Sequence, residues 1–71
     1  MKKFANSIRV GDILAVPDLQ NKEYKVIGIS AWGRYDRFNI RNISDDSDIR
    51  QIFVLSEDLS STEFEVTSEA E

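Results

Sequence analysis

Apolar residues in this chain fall into short β-branched and aromatic runs separated by turn residues. No stretch sustains the 3.6-residue apolar period of an amphipathic helix, so the pattern predicts strands. The first run spans Ile8 to Val16 and is interrupted by Gly11-Asp12, and Pro17 to Lys22 reads as a loop. Further runs cover Tyr24 to Trp32, Tyr35 to Ile43, Ile49 to Leu55 and Thr62 to Thr67. Ser44 to Asp48 is a turn, and Ser56 to Leu59 can form one helical turn with Ser56 as its cap. One domain over residues 1–67 is expected, followed by a disordered acidic tail, residues 68–71.

The second and third runs can be set in register. Gly33-Arg34 suits a two-residue hairpin loop, because glycine leads a type II′ turn. Trp32 then pairs with Tyr35, Ile29 with Phe38 and Ile27 with Ile40. The last two pairs make an apolar inner face. The outer face carries Trp32 with Tyr35, Ser30 with Arg37, Gly28 with Asn39, and Val26 with Arg41. With Ser44 to Asp48 as a five-residue loop, the fourth run places Ile52 by Ile40 and Val54 by Phe38. On the outer face Gln51 lies by Arg41, Phe53 by Asn39 and Leu55 by Arg37.

Five short strands, a tight turn before the fifth and no interposed helix predict an all-β fold. The architecture expected is a small five-stranded SH3-like barrel, a central antiparallel meander framed by the first and last strands. An OB-like barrel is the alternative, although that fold usually carries a helix between its third and fourth strands. The opening Ile8-Arg9-Val10-Gly11-Asp12-Ile13-Leu14-Ala15-Val16, followed by Lys25-Val26-Ile27-Gly28-Ile29, resembles the start of KOW-type SH3-like barrels. In those modules a Gly-Asp pair introduces the first strand. The resemblance ends at Ile29, and what it implies is the fold.

Composition narrows the chemistry. The chain has 71 residues and neither cysteine nor histidine. A chain of this size buries only roughly 60% of the surface it exposes when unfolded, so the core is thin. Disulfides and the usual zinc sites are excluded, and the commonest general base is missing. No enzymatic activity, cofactor or metal is expected. Asp45-Asp46-Ser47-Asp48 lacks the spaced ligands and closing glutamate of a calcium loop and reads as a solvated turn. Met1-Lys2-Lys3 is not followed by an apolar signal region, and no run approaches transmembrane length. The plain expectation is a cytoplasmic protein without a membrane partner, of a size that would also suit a phage or plasmid product.

The net charge of −4 is unevenly spread. Up to Ile43 the chain holds eight basic against four acidic residues; beyond it, one against nine. Cross-strand compensation between the halves, Arg37 and Arg41 with Glu63 and Glu65, is one reading. A basic binding face with an acidic tail is the other.

The densest feature is Trp32-Gly33-Arg34-Tyr35-Asp36-Arg37-Phe38, where aromatic rings lie beside guanidinium groups. Partner-binding candidates are Trp32, Arg34, Tyr35, Arg37 and Arg41, displayed on the outer face of the meander and its hairpin tip. Tyr24, Val26, Phe53 and Leu55 would share that face, with the last three assigned to burial under other strands. Trp, Tyr and Arg are the types enriched at protein hot spots, which favours a regulatory, adaptor or inhibitor module that binds another protein. The alternative is nucleic acid, with Trp32 and Tyr35 stacking on bases and Arg34, Arg37 and Arg41 following phosphates. Edge-strand pairing into a homodimer is a further possibility.

Overall fold

Six strands form in a computed structural model that describes residues 1–71. They are β1 (Lys2–Phe4), β2 (Ile13–Val16), β3 (Lys22–Trp32), β4 (Tyr35–Asn42), β5 (Ile49–Leu55) and β6 (Glu63–Ser68). All pairings are antiparallel, in the order β1-β6-β2-β3-β4-β5. The fold is therefore all-β, as the run lengths predicted. Two features differ from the expected five-stranded barrel. Lys2–Phe4 supplies an extra strand, paired with β6. The sheet is not closed, because β1 and β5 each pair on one side only.

The first apolar run yields less strand than its sequence suggested. Only Ile13–Val16 pairs as β2, while Ile8 and Ala5 enter the core from the 3₁₀ turn Ala5–Ser7 and the segment after it. Gly11, at a φ of 102°, makes the intervening bend in a region that favours glycine. Asp12 beside it is fully buried. Its carboxylate accepts the Arg9 N–H at 2.9 Å, the Ala70 N–H at 2.7 Å and Lys3 Nζ at 3.4 Å. Burial pushes its pKa up, but the amides of Ala70 and Arg9 and the Lys3 ammonium outweigh burial and hold it below the ordinary value. The tail expected to be disordered is tethered here: Ser68 ends β6, and Ala70 bonds to Asp12.

The β3–β4 hairpin has the predicted tip. Trp32 pairs with Tyr35, and Gly33 has a φ of 62° while Arg34 keeps a negative one. The register holds through Ile29 with Phe38 and Gly28 with Asn39, then breaks at a bulge at Ile27. Beyond it Val26 pairs with Ile40, Lys25 with Arg41 and Tyr24 with Asn42. One extra residue exchanges the two faces of a strand. Tyr24 and Val26, expected on the outer face with Val26 covered there, turn inward and are fully buried, and Ile27, expected inside, is 37% exposed. The Val26 backbone anchors the switch, since its N–H donates to Asp12 O and its carbonyl accepts from Gly11, each at 2.8 Å. The core is Ala5, Ile8, Leu14, Tyr24, Val26, Phe38, Ile40, Val54 and Val66.

β5 spans the predicted residues but is shifted by two relative to the expected register. Phe38 pairs with Ile52, Arg37 with Phe53 and Tyr35 with Leu55. A shift of two preserves the faces, so Ile52 and Val54 still point inward. The loop is Ile43 to Ser47, closed by Asn42 and Asp48. The Asn42 N–H donates to the Asp48 carbonyl at 2.9 Å, and its side-chain amide donates to Asp48 Oδ2 at 3.2 Å. The same oxygen accepts the Tyr24 hydroxyl at 2.6 Å, and Arg50 Nε reaches Asp48 Oδ1 at 2.9 Å. In the later turn, Ser56–Asp58, Ser56 does not cap. Its hydroxyl donates to Asp36 instead.

The donors around Asp48, Tyr24 first and then Asn42, lower its pKa from 3.8 to about 2. Hydrogen bonding to that carboxylate, followed by burial, raises the Tyr24 hydroxyl above 10.0. Stability from Asp48 is complete above pH 3.8 and is lost as pH falls towards about 2. Stability from Tyr24 is complete below pH 10.0 and is lost above it. Tyr24→Phe should lower stability at neutral pH. Its deficit against wild type should narrow on acidification between pH 3.8 and about 2, as read by urea denaturation across that window. Gly33→Ala should cost about 1 kcal/mol through left-handed strain, since a β-carbon there meets nothing within 4 Å. D-alanine at the same position should cost nothing measurable.

Candidate interaction face

The outer face of β3–β4–β5 is arranged in rows set by the registers. Trp32, Tyr35 and Leu55 form the row at the tip; Ser30, Arg37 and Phe53 form the next. Gly28, Asn39 and Gln51 follow, then Lys25, Arg41 and Ile49. No carboxylate occupies any of these positions. Of the neighbouring acids, Asp36 and Asp48 are held by Ser56 and by Tyr24 with Asn42, Glu23 accepts from Thr67, and Asp46 approaches Arg41 from the loop.

Three aromatic rings meet near the tip. Trp32 lies 5.5 Å from Phe53 between centroids, tilted by 56°. Tyr35 lies 6.2 Å from Phe53 in an edge-on arrangement at 84°. All three stay open to solvent, at 57%, 39% and 44% exposure for Trp32, Tyr35 and Phe53. Phe53 had been assigned to burial, and the structure places it at the centre of this cluster. No strand covers it, because β2, β6 and β1 extend the sheet beyond β3, and the two-residue register shift sets Phe53 beside Arg37 rather than Asn39. Of its two companions in that assignment, Val26 is fully buried and Leu55 half-buried.

The cations surround this cluster at graded freedom. Arg34, at the tip, makes no side-chain hydrogen bond or ion pair, while its carbonyl accepts the Ser56 N–H at 2.9 Å. Arg37 donates from Nε and Nη2 to Ser30 Oγ at 3.3 and 3.2 Å, which holds it across the sheet beside Phe53. Arg41 reaches only Asp46, at 4.0 Å, on a loop carboxylate that is itself open to water. An ion pair of that kind contributes little. Lys25 sits opposite Arg41 and adds a further positive charge to the row.

Compensation by Glu63 and Glu65 does not form. β6 lies between β1 and β2, so two strands separate it from β4. Glu63 pairs with Phe4, and Glu65 bonds to the Met1 amino group at 2.7 Å, which lowers the pKa of Glu65. The basic face therefore keeps its charge. The acidic loop is equally divided: Asp45 accepts from Ser47, Asp46 faces Arg41, and Asp48 belongs to the Tyr24 network. No three acidic groups converge to hold an ion. No helix is long and apolar enough to cross a membrane.

No protein-family model matches the chain, and no curated protein or solved structure matches it either. The face is accordingly read from its own chemistry. Phe53→Ala should shift the emission of Trp32, the sole tryptophan, to longer wavelength. The accompanying loss of stability should be about 1 kcal/mol, the scale of an aromatic pair, as measured by denaturation.

Proposed function

We propose that this chain is a small, non-enzymatic SH3-like interaction module that binds another protein through the outer face of β3, β4 and β5. The observation that carries this reading is the aromatic cluster Trp32–Tyr35–Phe53, open to solvent and flanked by unneutralised arginines. Trp, Tyr and Arg at the centre of a patch are the chemistry of a protein hot spot. The rings lean on one another at 56° and 84°, making one compact apolar knob that suits a partner's pocket. Separate flat platforms would suit bases better. The groups with displaced pKa values serve the fold: Asp12 anchors the Gly11 bend and the tail, and Asp48 anchors the β4–β5 loop. Binding is thus a better match to the chain than catalysis.

A second reading has its own support. A face bearing Lys25, Arg34, Arg37 and Arg41 without a carboxylate could follow a phosphate backbone. The net charge of −4 works against it at long range.

Affinity capture separates the two. Wild type should retain a protein partner after nuclease treatment, and Trp32→Ala or Phe53→Ala should weaken it by about 2 kcal/mol or more, roughly thirtyfold. Arg34→Ala should act chiefly on the salt dependence of binding. Equal capture by wild type and both aromatic variants would remove this face from the account. Loss of every partner on nuclease treatment would put nucleic acid in the first place.

A further inference from the structure

β5 is an edge strand with none of the usual protections. It runs seven residues, Ile49–Leu55, without proline or bulge and with one charge, Arg50. Natural edges are normally shortened, kinked or loaded with charge, because an open edge templates another strand. Its backbone polarity follows from the two bonds that bracket it. Ser56 N–H donates to Arg34 O at one end, and Asn42 N–H donates to Asp48 O at the other. Antiparallel pairs alternate between bonded and non-bonded types. Arg50, Ile52 and Val54 therefore direct their amides and carbonyls to β4. Ile49, Gln51, Phe53 and Leu55 direct theirs to the free edge. These are the same residues whose side chains belong to the outer face.

Behind this edge lies a cavity of about 610 Å³. Ile52 of β5 lines it together with Val16, Pro17 and Phe64, and Lys2 of β1 also borders it. Residues of both unpaired strands thus border one space, where the apolar side chains of Val16, Pro17, Ile52 and Phe64 adjoin Asp18, Glu63 and Glu65. A strand laid along β5 would place alternate side chains in two environments. Those opposite Gln51 and Phe53 would join the basic outer face. Those opposite Ile52 and Val54 would turn to the inner face, where Ile52 borders the cavity.

We propose that an extended segment of another protein, alternating acidic and apolar residues, docks as an added strand on β5. This rests on the interaction-face reading and specifies its partner. Main-chain bonds to Gln51 and Phe53 hold the segment. Its acidic side chains lie on the face that carries Arg37 and Arg41, one strand in from the edge, and its apolar ones turn to the space beside Ile52. A second copy of this chain is the less favourable occupant. Pairing β5 with β5 would align two faces that each carry Lys25, Arg37 and Arg41 without a carboxylate. An acidic segment complements that charge.

The test uses a synthetic peptide of alternating glutamate and valine, matched to the seven residues of β5, titrated against the full chain. Trp32 fluorescence reports binding, and amide hydrogen exchange reports the edge. The expected result is binding with roughly tenfold or greater protection of the Gln51 and Phe53 amides. Gln51→Pro removes one outward N–H and leaves the bonds to β4 intact, so it should weaken binding roughly tenfold, and Gln51→Ala should not. A peptide N-methylated at alternate residues should fail to bind wild type, which keeps the test independent of how well the proline variant folds. Equal binding of a lysine–valine peptide, absence of binding, or indifference to both backbone blocks would overturn the proposal. So would a dimer in sedimentation that Gln51→Pro converts to monomer, since the edge would then belong to a second copy. If the peptide fails while partner capture still depends on Trp32 and Phe53, only the strand-addition mode falls. If capture ignores those residues, the interaction face itself falls.

Discussion

The Asp48 carboxylate ties three strands of this small sheet together. It accepts from Tyr24 on β3 and Asn42 on β4, and it faces Arg50 on β5. A chain with so thin a core cannot specify strand register by packing alone, because a slip of two residues keeps every apolar side chain on its face. The Ile52 and Val54 side chains would be inward in either register. The loop-closing pair of Asn42 and Asp48 breaks that degeneracy, because their bonds form in one register only. The buried hydroxyl and amide are satisfied in that arrangement, and no buried side-chain polar atom is left without a partner. Leaving such groups unpaired would cost about 1–3 kcal/mol each, enough to decide between registers of similar hydrophobic content.

The candidate face inherits this choice. In the observed register Phe53 lies beside Arg37 and within ring contact of Trp32 and Tyr35. Moved by two residues, it would sit beside Asn39 and the aromatic cluster would not assemble. The pair that closes one end of the β4–β5 hairpin therefore sets the chemistry displayed at the other. The bulge at Ile27 has a parallel effect on β3. It turns Tyr24 inward, where its hydroxyl reaches Asp48, and leaves Lys25 on the outer row next to Arg41.

These two features also mark where the sequence stopped being legible. The strand runs, the Gly33-Arg34 turn and the pairing from Trp32–Tyr35 to Gly28–Asn39 follow from alternation and from glycine's freedom at positive φ. The bulge is less legible: Gly28 beside Ile27 suits a bend, but alternation does not say that the extra residue falls here. Its anchor is distant: the Val26 backbone bonds to Gly11 and Asp12, fifteen and fourteen positions back along the chain. β1 was equally hidden, since Lys2–Phe4 pairs only because β6 offers an edge. The candidate site was legible in its aromatic and basic residues. Phe53 was missed because it was assigned to burial under the first or last strand, and those strands instead extend the sheet beyond β3.

The charge asymmetry of the chain acquires a structural meaning from the strand order. Placing β6 between β1 and β2 moves the later acidic residues away from the arginines of β4. Had β6 adjoined the meander, Glu63 and Glu65 could have neutralised Arg37 and Arg41, and the aromatic cluster would stand on an electrically quiet sheet. Instead the acidic residues stabilise the other end of the sheet, through Glu65 with the Met1 amine and Glu69 with Lys3. The basic groups of β3 and β4 are left with a hydroxyl, a distant loop carboxylate or no partner at all. A desolvated arginine needs an acceptor, so a partner that covers this face must bring its own negative charge or leave a gap for water. In the proposed site the aromatic rings beside Arg37 can exclude water from it, which strengthens any carboxylate that reaches it.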